Sequence, residues 1–307
     1  QSRFREAVNA FDQAVAADTA FALAYRRLGL SWGWLDVANP RGGEMSRRAE
    51  ALADRLPERE RLLARADAGM WDRAASIAPE LRAHLRLHPE DAEAWELLAE
   101  FGVHVPWMAL SSPDEATEAL ERAIALQPTF TPRYFHLLDH AVAENLPDRF
   151  HELMAAYEAH GAEPEAVRTR QAQWDFYRGT PEERAHAEAY FRAGPVDQAF
   201  NLITVSFQSD DLGPRLQGGL ALLTDLPFEG FPVRGLQAMA RGLGPGAWPA
   251  DDVAEGIPSL HWGLLNPEDA PVPRELVAAL GGRPTSHAAL AAAVLAARAG
   301  DAQMVAR

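Results

Sequence analysis

Two histidines four positions apart, His136 and His140 in HLLDH, have the spacing in this chain best suited to chemistry. On a helix both rings lie on one face, the arrangement that helical metal sites use. Zinc would need a third ligand, and Asp139, Glu144 and His104 are the candidates. The glutamate of the H-E-x-x-H pattern is missing, so the pair does not spell a hydrolytic metal centre. The plain structural alternative has His136 facing a surface while His140 packs on a neighbouring element, each hydrogen-bonded to a carbonyl or carboxylate.

Other chemical motifs occur without the context they need. Gly29-Leu-Ser31-Trp-Gly33 matches G-x-S-x-G, but a nucleophile elbow requires a strained strand-to-helix turn and this match falls inside a helical pattern. The run RGLGPG at 241–246 would cradle phosphate only after a strand, and it sets proline where a backbone amide is required. Asp210-Asp211 and Asp251-Asp252 lie beside Gly and Pro, where capping or solvation accounts for them better than acid/base work. No catalytic constellation emerges, so the expectation is a non-enzymatic chain without cofactor or assigned metal.

Composition narrows the remaining classes. A chain of 307 residues with 48% apolar content can bury a sizeable core. Its 29 Lys and Arg against 44 Asp and Glu leave a formal charge of −15, which repels polyphosphate and argues against nucleic acid. With no cysteine, disulfides and thiolate chemistry are excluded. No apolar run approaches the roughly 20 residues of a membrane span, and QSRFREAVNAF reads as an amphipathic helix rather than a signal peptide. The chain opens without Met, as a fragment or processed form would.

The elements that would position these residues follow a repeat. Ala7, Phe11 and Ala14 keep an A-x3-F-x2-A spacing, and Tyr25, Leu28, Gly29 and Trp32 keep an aromatic-x2-L-G-x2-aromatic spacing. The stretch FDQAVAADTAFALAYRRLGLSW is therefore expected to be two helices joined at Asp18-Thr19. The register returns at Ala83 to Pro89, at Trp95 with Leu98 and Ala99, at Ala116, Leu120, Ala123 and Pro128, and at Tyr134 with Leu137 and Leu138. Trp95 lies 70 positions after Tyr25, about twice a period near 34; the unit between, roughly 57–91, is degenerate.

These spacings resemble the tetratricopeptide repeat over about residues 3–145. DTAFALAYRRLG at 18–29, LPERERLL at 56–63 and HPEDAEAWELLAEF at 88–101 are similar to the repeat regions that bacteria attach to serine/threonine kinases, adenylate cyclases and transcriptional activators. The resemblance implies an all-α fold, a right-handed α-solenoid of about seven helix pairs that is irregular toward the C-terminus. Repeats are expected over 1–225, with further pairs at 164–178 with 181–193 and at 196–208 with 213–225. A Pro/Gly-rich irregular helical segment follows over 226–284, then the start of a truncated pair over 285–307. LITVSF at 202–207 is the one convincing β-branched run, and its flanks suit a helix as well.

Repeat proteins of this kind bind along a concave groove. The family's groove positions map here onto Arg26, Arg27, Leu30 and Trp34, then Glu93, Glu96, Glu100 and His104, then Phe135, His136, Asp139 and Val142. The resemblance implies a scaffold or regulatory module for a protein or peptide partner, cytoplasmic, with a fused signalling domain lying outside these residues. The lysines and asparagines of the family's carboxylate clamp are missing from these positions, and the plain alternative for Arg26 and Arg27 is that they are solvated surface residues or partners of a nearby carboxylate. The competing expectation is a ligand- or metal-sensing α-domain built on His104, His136, Asp139 and His140. Of the tryptophans that the repeat does not fix, Trp107, beside Pro106 in VHVPWMALSSPD, is the one to test for exposure.

Overall fold

The computed structural model describes residues 3–35, 39–72, 75–104, 113–194, 196–205 and Leu222. Among them every regular element is helical and no strand occurs. The segments expected at 226–284 and 285–307, the RGLGPG run, both Asp pairs and Trp107 lie outside the described residues.

The first helix, α1 (Phe4–Ala17), ends where the Asp18 side chain accepts the Ala20 amide at 2.9 Å, and α2 (Ala22–Leu35) begins after it. A carboxylate that binds the backbone two residues on gives the chain a turn in place of another helical turn. Next come α3 (Arg41–Ala51), α4 (Glu58–Asp72), α5 (Ala78–Leu87), α6 (Ala92–His104) and α7 (Pro113–Leu126). After the 3-10 turn Thr131–Arg133 follow α8 (Tyr134–Ala143), α9 (Pro147–Ala159), α10 (Pro164–Arg178), α11 (Pro181–Ala193) and α12 (Val196–Thr204). The β-branched Ile203 and Thr204 thus belong to a helix.

Two compact units divide the chain: residues 1–137 with 155–162, and residues 138–154 with 163–307. In the first, α2 packs on α1 and α3, α3 on α4, α5 and α7 on α6, and the alternate helices α2, α4 and α6 also touch in sequence. Leu63, Ala66, Ala78, Leu81, Ala94 and Phe101, each fully buried, form one core cluster, with Trp95 half-buried at its edge. Ala64, Ala119 and Ala123 are also fully buried; small side chains let helix axes approach until larger neighbours interdigitate.

Two close approaches explain glycines that would otherwise weaken helices. A Cβ on Gly29 would sit 2.4 Å from Ser46 Oγ and 2.9 Å from the Ser46 amide, so α2 and α3 cross with no room for a side chain. On Gly42 it would sit 2.4 Å from the Trp71 ring, which covers the start of α3. Each glycine costs its helix up to about 1 kcal/mol of propensity, which the packing it permits offsets.

In the second unit α10 packs on α11 and α12 around Phe176, Tyr177, Ala187, Phe191 and Leu202. Phe150 stacks on Trp174 with centroids 4.5 Å apart. A reciprocal capping box starts α11: Thr180 Oγ1 accepts the Glu183 amide, while the Glu183 carboxylate accepts the Thr180 amide at 2.7 Å. The Arg178 guanidinium donates to the carbonyls of Val142, at 2.6 Å, and Ala143, satisfying acceptors that the end of α8 leaves without helical partners. Among the described residues no helix is long and apolar enough to cross a membrane.

Candidate functional site

Helices α2 and α6 and the first turn of α8 bring most of the expected groove residues into one group in the first unit, where they bind one another. Arg26, 1% exposed, donates from Nε to Asp67 on α4 at 2.6 Å and from Nη1 to Glu93 on α6 at 2.8 Å. Arg27 reaches the other oxygen of Glu93 at 2.9 Å. Trp34 lies with its ring centroid 6.0 Å from Phe135 and 6.2 Å from Phe4. The polar stripe that α2, α6 and the start of α8 share is therefore largely consumed by pairing, because a charge removed from water must find a counter-charge or be expelled.

Glu96 is paired in the same way with a residue that the repeat spacing does not single out. Arg133 donates to it from Nε at 3.0 Å and from Nη2 at 2.8 Å, while its Nη1 donates to the Ala123 and Gln127 carbonyls at 3.1 and 3.2 Å. Burial pushes the Glu96 carboxyl up to about 7 against the pull of Arg133. The Glu93 carboxyl shows the opposite balance: burial raises it, but Arg26 and Arg27 outweigh burial and hold it down at about 2.

Glu100 pairs with imidazoles instead. His104, one turn on along α6, places Nε2 3.2 Å from one carboxylate oxygen, and His136 from α8 places Nε2 3.2 Å from the other. The two rings meet edge to face with centroids 5.1 Å apart. Burial would raise the Glu100 carboxyl, but the two histidines hold it well below the usual carboxylate range. The three residues offer ligand atoms that all lie within 4.8 Å of one another.

In the second unit, Asp139 is 1% exposed and accepts from Arg170 Nη1 and Gln173 Nε2, both at 2.8 Å. Burial and the Asp139 charge push the nearby Tyr177 hydroxyl up. The group that the structure assembles is thus Glu100, His104 and His136, while Asp139 is committed to α10 and His140 is half-buried. Ser31, the centre of G-x-S-x-G, is 5% exposed and donates to the Arg27 carbonyl at 2.7 Å within α2, so it has no elbow.

A surface cleft of about 370 Å³ in the first unit is bordered by Arg59, His84, His88, Asp91, Glu93 and Leu126. Its charged groups are mutually bound: Arg59 holds Asp91 through two hydrogen bonds of 2.7 Å, and His84 Nε2 lies 2.9 Å from the same carboxylate. Periodicity does not mark Asp67, Arg133 or Arg170, because their partners lie 41, 37 and 31 residues away. The one available signal was the number of arginines in a chain that is otherwise acidic. Comparison with protein-family models, curated proteins and solved structures gives no match.

Proposed function

We propose that the chain is a non-catalytic scaffold of tetratricopeptide-like helix pairs, an α-solenoid that holds a protein or peptide partner against the polar-aromatic stripe of α2, α6 and α8. One observation carries this reading: Arg27, Trp34, Glu93, His104 and Phe135 stay half-exposed while each is held by an ion pair or ring contact within the same stripe. Aromatic and arginine side chains that are already ordered lose little entropy on binding and supply most interface energy. The sequential contact of α2, α4 and α6 supports a stacked-repeat arrangement. The resemblance to bacterial signalling regions assigns the chemistry to an attached or associated domain in the cytoplasm.

The test is affinity capture on the immobilised chain, with partners identified by mass spectrometry and their affinities measured. Arg27→Ala and Trp34→Ser, checked by circular dichroism, should each weaken a genuine partner by about 2 kcal/mol or more if they anchor it. Capture of no protein, or of proteins that both variants bind as tightly as the native chain, sinks the reading.

A further inference from the structure

Glu100 differs from the other carboxylates of its stripe in the kind of partner it has. Asp67, Glu93 and Glu96 are bound by guanidinium groups, and arginine keeps its proton at any accessible pH, so it has no lone pair to offer a metal ion. The ion-pair partners of Glu100 among the described residues are His104 and His136. A neutral imidazole nitrogen is the commonest protein ligand for metals.

The geometry suits a shared ion. Both rings turn the same nitrogen, Nε2, toward the carboxylate, each 3.2 Å away. Ligand atoms of a tetrahedral zinc site, bound at about 2.0–2.1 Å, lie about 3.3 Å apart. All three donors fall within 4.8 Å of one another, so small side-chain rotations would complete the set. Glu100 and His104 occupy successive turns at the end of α6, a rigid element whose C-terminal carbonyls favour a cation. The side chains of His136 and Glu100 are 10% and 15% exposed, and that of His104 is 29% exposed, which leaves one side open for an ion to enter.

We propose that Glu100, His104 and His136 form a binding site for a divalent transition-metal ion of the zinc class, with a fourth position left to water or to a partner side chain. Two nitrogens and one carboxylate favour zinc, cobalt or nickel over magnesium and calcium, which take oxygen ligands. The site goes beyond the scaffold reading and does not depend on it.

The experiment uses the full chain, stripped with a chelator and titrated with Zn2+ by calorimetry and with Co2+ by visible absorption. One equivalent should bind, with the intense absorption of tetrahedral Co2+. Glu100→Gln and His104→Ala should each weaken binding by more than the roughly 10- to 100-fold that loss of a group hydrogen-bonded to a metal ligand costs. His140→Ala should leave it unchanged. His104 stands at the half-exposed end of α6, so His104→Ala is expected to keep the native circular dichroism spectrum. Absence of Zn2+ binding tighter than about 1 mM, or binding that His104→Ala and Glu100→Gln leave intact, overturns the site. Because no partner protein enters the titration, failure here is distinct from failure of the capture experiment.

Discussion

Arg133 directs two donors, Nε and Nη2, onto a single oxygen of Glu96, at 3.0 and 2.8 Å, from side chains only 2% and 9% exposed. The same guanidinium also closes the end of α7 through the Ala123 and Gln127 carbonyls. One arginine thus joins α6, α7 and the turn that leads into α8. Removing it strands a buried carboxylate, while the Ala123 and Gln127 carbonyls keep the amides of Gln127 and Phe130.

Arg133→Met should therefore destabilise the chain by about 3–5 kcal/mol, the cost of breaking a buried pair on one side. Glu96→Leu combined with Arg133→Met should recover most of that loss, because no charge is then left buried without a partner. Urea denaturation of both single variants and the double variant measures the coupling. Additive losses would show that the pair is not a unit.

The two glycines of GLSWG should respond in opposite directions. Gly29→Leu drives atoms into the Ser46 backbone and should cost about 1–3 kcal/mol or more through overpacking. A Cβ on Gly33 meets the Trp71 ring at 3.5 Å, an ordinary contact, so Gly33→Ala should be neutral or stabilising by up to about 1 kcal/mol from helix propensity. Thermal melts of the two variants make the comparison; equal losses would contradict the close crossing of α2 and α3.

Acid should weaken the first unit through Asp91 and Glu93. Burial raises both carboxyls, but Arg59 and His84 outweigh it at Asp91, and Arg26 and Arg27 at Glu93, lowering each to about 2 from 3.8 and 4.5. The folded state therefore holds fewer protons than the unfolded chain across this interval. The resulting stability is complete above about pH 4.5 and disappears as pH falls through about 2. Each group contributes about 2 to 3 kcal/mol at neutral pH, less than additively because they share Arg59. Asp91→Asn should flatten the fall in urea midpoint between neutral pH and about pH 3; an unchanged slope would show that Asp91 is not the group responsible.

Local pattern was enough to place most helices. Apolar spacing, Asp18 at the first turn and the prolines near helix starts act within one or two helical turns, so they are visible in a single stretch of chain. The pair at 164–178 and 181–193 coincides with α10 and α11. The helix α3 was hidden, because Gly42 and Gly43 depress local propensity and only the Trp71 ring laid across them accounts for it.

The sequence by itself determined the helical character that the described residues show, the residue types on the faces of α2 and α6, and the absence of thiol chemistry. Tertiary structure decided which of those residues meet: Arg26 with Asp67 and Glu93, Arg133 with Glu96, and His136 with Glu100 in place of the His136/His140 pair that spacing singled out. Helix formation is governed by neighbours three and four residues apart, which sequence displays. Ion pairing depends on which helix faces pack together, and Glu100 and His136, 36 positions apart, show no periodic trace of that contact.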